Sequence, residues 1–260
     1  MHAPGPRVLV VAAHPNDETI GAGGLLGRLQ GCVVAILTDG APRDLGVARA
    51  AGYPTREAFA RERRRELERA MALVGIGPSQ VRSLGTIDQE AMLELPGLTR
   101  KLVALLEEAC PEAILFPSYE GGHPDHDAAA FVVHSAVRLL PRIGPTPPVL
   151  VEMAVHHDEE VVPELPTFLE PLGCEATSVL DERDKVRKRR MLSCFRSQQL
   201  VLRGVQADHE LFRAAPARDF AALPHPGPLH YERHGHAVTG EAFRSQARRA
   251  LERLGLAANL

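Results

Sequence analysis

The stretch RVLVVAAHPNDE, residues 7–18, decides the fold. Its first half is a near-continuous apolar run rich in β-branched valine, as a strand buried on both faces requires, and its second half turns abruptly polar and opens a helical pattern. A strand, a polar turn and a helix make the first unit of a parallel α/β sheet. Outward from it the alternation continues. Cys32–Thr38, Val81–Leu84 and Ala113–Phe116 read as further strands, with Glu18–Leu29, Pro54–Val74 and Pro96–Ala109 as the helices between them. Pro54 and Pro96 are placed as first-turn prolines, and Glu57 and Arg61 are spaced as an i,i+4 ion pair. The pattern predicts another helix from Asp125 to Leu140, ended by Pro141. Farther on, Val149–Val155 and Ala176–Leu180 read as strands and Glu182–Cys194 and Gly240–Leu254 as helices, while Arg213–Gly240, rich in Pro, Gly and His, reads as a surface excursion. The expected class is therefore α/β, a Rossmann-like three-layer fold with a mainly parallel sheet. Residues 1–260 are read as one domain, with an elaboration from about 149 and a junction at Pro141–Pro148.

Composition narrows the function. Apolar residues at 45% and charged ones at 24% are those of a globular domain, and a net charge of -3 lacks the basic footprint of a nucleic-acid binder. No run approaches the roughly 20 apolar residues that cross a bilayer, and the first fifteen residues lack a cleavage signal, so the expectation is a cytoplasmic protein without a membrane span. Cys32, Cys110, Cys174 and Cys194 form no CxxC pair and read as reduced thiols.

Chemistry concentrates where strands end. His14, Asn16, Asp17 and Glu18 follow the first strand, a position that a helix N-terminus with a nearby histidine would explain by itself. The fourth strand runs into Ser118-Tyr119-Glu120-Gly121-Gly122-His123-Pro124-Asp125-His126-Asp127, a density of His and Asp that a solubilising loop does not need. Two such loops at one sheet edge suggest a metal. An imidazole and a carboxylate from the first and an imidazole from the second make a His₂-carboxylate set with open positions, as catalytic zinc requires. Gly21-Ala22-Gly23-Gly24 lacks the GxGxxG spacing of a dinucleotide loop, and this argues against a cofactor-binding methyltransferase or similar enzyme. Asp39, in Thr38-Asp39-Gly40, reads equally as a pocket border or a turn residue. Arg61–Arg65 and Lys185–Arg190 read as solvated basic faces, with Arg63 as the exception because it and Asp88 can reach the same sheet edge. His156 and His157 read first as polar packing, with the rim of the site as the second reading, and His225, His230, His234 and His236 read first as surface loop, with the lining of a substrate groove as the second.

These residues resemble the PIG-L or LmbE-like zinc-dependent N-deacetylases, which act mainly on N-acetylglucosamine-containing molecules. That family carries A-H-P-D-D-E after its first strand and H-P-D-H after a later one; here they stand as Ala13–Glu18 with one change and His123–His126 with none. Thr38-Asp39-Gly40, Arg63 with Glu66, the Asp88 loop, Cys194–Gln199 and Pro224–Glu232 add further similarity. The resemblance implies Zn²⁺ ligation by His14, Asp17 and His126. It also implies that His123 polarises the amide carbonyl or protonates the leaving amine, with Asp125 as partner of its ring, and that Arg63 and Asp88 hold the sugar of a small amino-sugar conjugate. Asn16 departs from the pattern. The family has there an aspartate that deprotonates the attacking water, so Asn16 points to an impaired or engineered deacetylase or, as the second reading, to a non-catalytic metal-containing sugar-binding homologue.

Overall fold

Five consecutive buried residues, Val8–Ala12, form β1 in the interior of the sheet, and their side chains divide between two layers. Successive side chains of a strand point to opposite faces. Leu9 and Val11 enter one apolar cluster and Val8, Val10 and Ala12 the other, so the run that reads as buried on both faces is so. In the computed structural model, the described residues are 7–29, 31–140, 147–155, 167–233 and 238–257.

Along the chain these are β1, α1 (Asp17–Leu26), β2 (Val33–Thr38), α2 (Leu45–Ala50), α3 (Arg56–Ala72), β3 (Val81–Thr86), α4 (Leu95–Ala109), β4 (Ala113–Pro117), α5 (Pro124–Leu139) and β5 (Val149–Met153). Then follow β6 (Ala176–Val179), α6 (Glu182–Leu192), β7 (His209–Ala214), α7 (His230–Arg233) and α8 (Gly240–Leu254). Among the described residues seven strands form one sheet in the order β3-β2-β1-β4-β5-β7-β6. The first five are parallel and β7 pairs antiparallel with both its neighbours, so the sheet is mainly parallel, as expected. Helices α1, α3 and α6 cover one face and α4, α5 and α8 the other, which makes three layers. The chain passes from β1 outward to β2 and β3, then returns to place β4 on β1's other side. The β1/β4 boundary is therefore the switch point at which open α/β sheets bind ligands.

Several expectations need correction. The third helix starts at Arg56, where the Thr55 hydroxyl accepts from the Ala58 N–H, so Pro54 precedes the helix. Glu57 lies 3.3 Å from Arg56 instead of pairing with Arg61. Lys188, read as part of a solvated basic face, is fully buried. Arg213 and Ala214 belong to β7, and Phe220, Leu229 and Tyr231 are buried, so the predicted surface excursion contributes to the interior. Residues 141–146 of the expected junction lie outside the described residues, as do His156, His157, His234 and His236.

The kink in α1 explains Lys188. Ala22 has non-helical angles (φ -144°, ψ 16°), and in a continuous helix the Ile20 carbonyl would accept from the Gly24 amide. Instead the Gly24 and Leu25 amides donate to the Glu210 carboxylate of β7 at 2.7 and 3.0 Å, and the Ile20 carbonyl accepts from Lys188 Nζ at 2.8 Å. Lys188 and Glu210 close the circuit at 2.9 Å. The glycines that resemble a cofactor loop serve this packing: a Cβ on Gly21 would lie 2.8 Å from Met153 Sδ and one on Gly24 2.5 Å from Leu180.

His134 of α5 illustrates a buried polar group with a pH consequence. Its ring sits 5.5 Å from both Phe116 and Phe220, its Nε2 has no hydrogen-bond partner among the described residues, and burial pulls its pKa down to about 4. Between pH 6.5 and 4 the unfolded chain binds the proton that the folded one refuses, so stability is lost as pH falls through this window. Replacing it with an apolar side chain removes that loss. Relative to the parent, His134→Leu should gain about 3 kcal/mol between pH 7 and pH 4 in urea unfolding; a pH-independent difference would show that the ring is not the source.

Candidate functional site

The two loops at the β1/β4 switch point face each other. After β1 the chain turns at His14, whose backbone N–H donates to Asp17 Oδ2 at 2.8 Å and ties the turn to the first residue of α1. The same Asp17 oxygen lies 3.3 Å from His14 Nδ1 and 3.2 Å from His126 Nε2, His126 coming from the first turn of α5. One carboxylate oxygen thus sits between two imidazole nitrogens.

The other edge of the His14 ring faces acid as well. Its Nε2 is 3.2 Å from Asp88 Oδ1, in the loop after β3, and 3.3 Å from Asp125 Oδ2. Burial pulls the His14 pKa down, but Asp17, Asp88 and Asp125 outweigh it and hold the imidazole well above its ordinary range. Burial pushes Asp17 up, yet His126 and His14 hold it well below the usual carboxylate range. The cluster therefore demands positive charge.

A divalent cation fits that demand. His14, Asp17 and His126 each offer a ligand atom, all within 4.8 Å of one another, and Asp17 Oδ1 is buried with no hydrogen-bond partner among the described residues. Two imidazoles and a carboxylate are the donors of catalytic zinc sites, and the outer carboxylates on His14 are the partners that orient a metal-ligating ring.

Asn16 occupies the turn between these ligands. It is buried in the cavity wall with φ 147°, a region that non-glycine residues enter rarely. It is the N-cap residue of α1, and its side chain makes no capping hydrogen bond to the helix. Its backbone is held by the Glu18 carboxylate, which accepts its N–H at 3.1 Å, and by the Thr19 and Ile20 amides, which donate to its carbonyl. Burial pushes Glu18 up to about 7.

His123 is the N-cap of α5, and its Nδ1 accepts the Asp125 N–H at 3.1 Å. The expected bond between the Asp125 carboxylate and the His123 ring is replaced by this backbone bond. The carboxylate instead faces His14 and accepts from the Gln89 and Ala91 amides, which joins the β3 loop to α5. Asp127, pushed up to about 8 by burial, accepts from the Glu120 and Gly121 amides and shapes the loop ahead of His123.

Arg63 of α3 reaches the cavity buried, with Nε and Nη1 unpaired among the described residues, and burial lowers its pKa against the pull of Asp88, Glu66 and Asp17. Gly40 makes room for it. With φ 65°, a Cβ there would lie 2.6 Å from Arg63 Nε and 2.8 Å from Pro15 Cδ. Asp39 is the turn residue of its two readings, accepting from Ala41 N and from Arg56.

All eight singled-out residues converge on this site. His14, Asn16, Asp17, Arg63, Asp88, His123 and His126 line one cavity of about 340 Å³, with Asp125 directly behind His14. Glu120 and Gln198 also line it, although sequence reasoning gave them no role there, and so does His230, for which a place in a substrate groove was the second of two readings. Gln198 is placed by Glu66, whose two oxygens accept from the Ser197 amide and hydroxyl.

The sequence profile of the PIG-L family, described as GlcNAc-PI de-N-acetylase, matches residues 9–137. A probable N-acetyl-alpha-D-glucosaminyl L-malate deacetylase 2 of Bacillus anthracis is 32% identical over 164 residues, covering 60% of this chain and 70% of the relative. The chain belongs to the PIG-L family. A second family relative, a 1D-myo-inositol 2-acetamido-2-deoxy-alpha-D-glucopyranoside deacetylase of Corynebacterium kroppenstedtii, is 29% identical over 51% of this chain and 41% of its own length. Among solved structures, the A40926 pseudoaglycone deacetylase Dbv21 superposes with a TM-score of 0.63 at 19% identity, covering 82% of this chain and 99% of that one. At that identity the likeness establishes a shared fold. Among the described residues no helix is long and apolar enough to cross a membrane.

Proposed function

We propose that this PIG-L protein is a metal-dependent hydrolase that removes an N-acetyl or N-acyl group from a small, N-acetylglucosamine-type amino-sugar conjugate, working in the cytoplasm as one deacetylase domain. The observation that carries the reading is the convergence of His14, Asp17 and His126 around one buried carboxylate oxygen, in a family whose relatives are named as deacetylases.

His14, Asp17 and His126 would hold the cation, with Zn²⁺ the first choice for this donor set. When bound, it supplies Lewis acidity to the amide carbonyl and lowers the pKa of water toward about 7. The chain supplies the rest. Asp88 and Asp125 orient the His14 ring from its far edge. His123 accepts the Asp125 N–H on Nδ1, which leaves its proton on Nε2, where it can donate to the oxygen on which charge develops. Arg63 and Asp88, which line the same cavity, would bind the sugar hydroxyls. Asn16 can hold the attacking water by its carboxamide but has no basicity to take its proton. That predicts weak turnover, with catalysis by polarisation and positioning.

Elemental analysis of purified protein should find one divalent ion per chain. His14→Ala and His126→Ala should each lower occupancy, since two protein ligands make an incomplete site, and occupancy should be lost in the double variant. Full occupancy in that variant would end the assignment. N-acetyl-α-D-glucosaminyl L-malate and 1D-myo-inositol 2-acetamido-2-deoxy-α-D-glucopyranoside are the first substrates to assay, read by the amine released.

A further inference from the structure

We infer that Glu120 accepts a hydrogen bond from one hydroxyl of the amino sugar and thereby helps to set which sugar the site takes. The inference rests on the deacetylase reading above and adds a recognition residue to it. Glu120 stands in the loop between β4 and α5, is 7% exposed and lines the same cavity as His14, His123 and His126. Two other carboxylates line that cavity and both are engaged, Asp17 between two imidazoles and Asp88 against the His14 ring. Glu120 has no ion-pair partner among the described residues. Arg213 attracts it, but Arg213 is paired with Glu152 at 2.6 Å, and Glu152 repels it.

A buried carboxylate without a cation is costly, and burial pushes its pKa up. Two donors meet it, the Leu169 N–H at 2.9 Å on Oε2 and the Ser118 hydroxyl. An ionised carboxyl offers about four acceptor positions, which leaves capacity for a donor that enters the cavity. Holding Leu169 would not by itself call for a charge, since a carboxamide oxygen accepts an amide without the cost of burying an ion. The loop is also fixed before any substrate arrives. Asp127, in the first turn of α5, accepts the Glu120 and Gly121 amides on one oxygen at 3.2 and 3.0 Å. A Cβ on Gly121, where φ is 71°, would lie 2.8 Å from Leu229, and one on Gly122 would lie 3.2 Å from Leu169 Cδ1. A side chain on so firmly seated a loop loses little freedom on binding. A site that hydrogen-bonds a particular hydroxyl in this way rejects the analogue that lacks it. Arg63 donates to hydroxyl oxygens, and Glu120 accepts from an O–H.

The test is a cycle between protein and sugar: methyl N-acetylglucosaminide and its 3-, 4- and 6-deoxy analogues, assayed on the parent and on Glu120→Gln. With the parent, one deoxy analogue should lose about 10- to 150-fold in kcat/KM, the worth of a hydrogen bond to a charged group. Glu120→Gln should impose a loss of that order on the complete sugar, carried by KM. It should cost that one analogue little more, because the contact is already missing. An equal fall on every sugar, or a fall carried by kcat, would assign Glu120 to holding the loop and overturn the inference while leaving the deacetylase reading standing. So would a parent that hydrolyses all the sugars alike. If Glu120→Gln does not fold, Glu120→Asp, which keeps the charge but draws it back by one methylene, takes its place in the same cycle. If none of the sugars is hydrolysed, the deacetylase reading fails. Calorimetry with methyl 2-amino-2-deoxyglucoside and its deoxy analogues then decides the contact separately: a deoxy penalty that vanishes in the variant supports it, and equal affinities or no binding overturn it.

Discussion

Asn16→Asp should raise kcat for an N-acetylated amino sugar by about 10²–10⁴-fold, the usual worth of a positioned general base. The substitution is isosteric, and the backbone at 16 is already fixed by the Glu18 carboxylate and by the Thr19 and Ile20 amides. Asp tolerates positive φ about as well as Asn does, so the strained turn should persist. The effect belongs in kcat because the new interaction matters when a proton moves and little when substrate merely binds. Glu18 and Asp125 are the neighbouring carboxylates that could take over from Asn16. Both are fully buried outside the cavity wall, with oxygens committed to backbone amides, so neither is placed to serve. Steady-state kinetics at equal metal content decides. Equal, high activity in both proteins would show that another group is the base, and no activity in either, with sugar still bound, would favour a binding protein.

The second large effect is on stability. Lys188→Met should cost about 3–5 kcal/mol in urea unfolding, the usual result of removing one member of a buried ion pair. The Glu210 carboxylate would stay buried with two amide donors but no cation, and the Ile20 carbonyl at the α1 kink would lose its donor. Glu210→Gln in the Lys188→Met background should recover part of the loss, since a carboxamide oxygen can still accept from Gly24 or Leu25 without an uncompensated charge. A loss below about 1 kcal/mol for the single variant would mean that water reaches the site and the kink is self-supporting. An ordinary surface lysine gives such small values.

How much of this was legible in the chain differs by element. The parallel half was readable because strands buried on both faces must be continuous apolar runs, and Val8–Ala12 and Val33–Thr38 are such runs. β7 was not. Its buried positions, Glu210 and Arg213, are charged, the reverse of the pattern that marks a strand, and they are tolerable only because Lys188 and Glu152 come from elsewhere to neutralise them. Helix α2 escaped as well: six residues with apolar side chains on both sides carry no periodic signal.

The site divides along the same line. The ligand types, their spacing within each loop and their place at strand ends were all written in the chain, because local backbone geometry links His14 to Asp17 and His123 to His126 within a turn or two. It also marked Asn16, since basicity belongs to the side chain whatever surrounds it. Folding set which carboxylate faces which ring, turning Asp125 from His123 to His14, because side-chain partners separated by 111 residues depend on how β1, β3 and β4 are laid side by side. It likewise decided that Val47 and Val201 line one cavity with the histidines, a meeting of segments that leave no mark on each other's sequence.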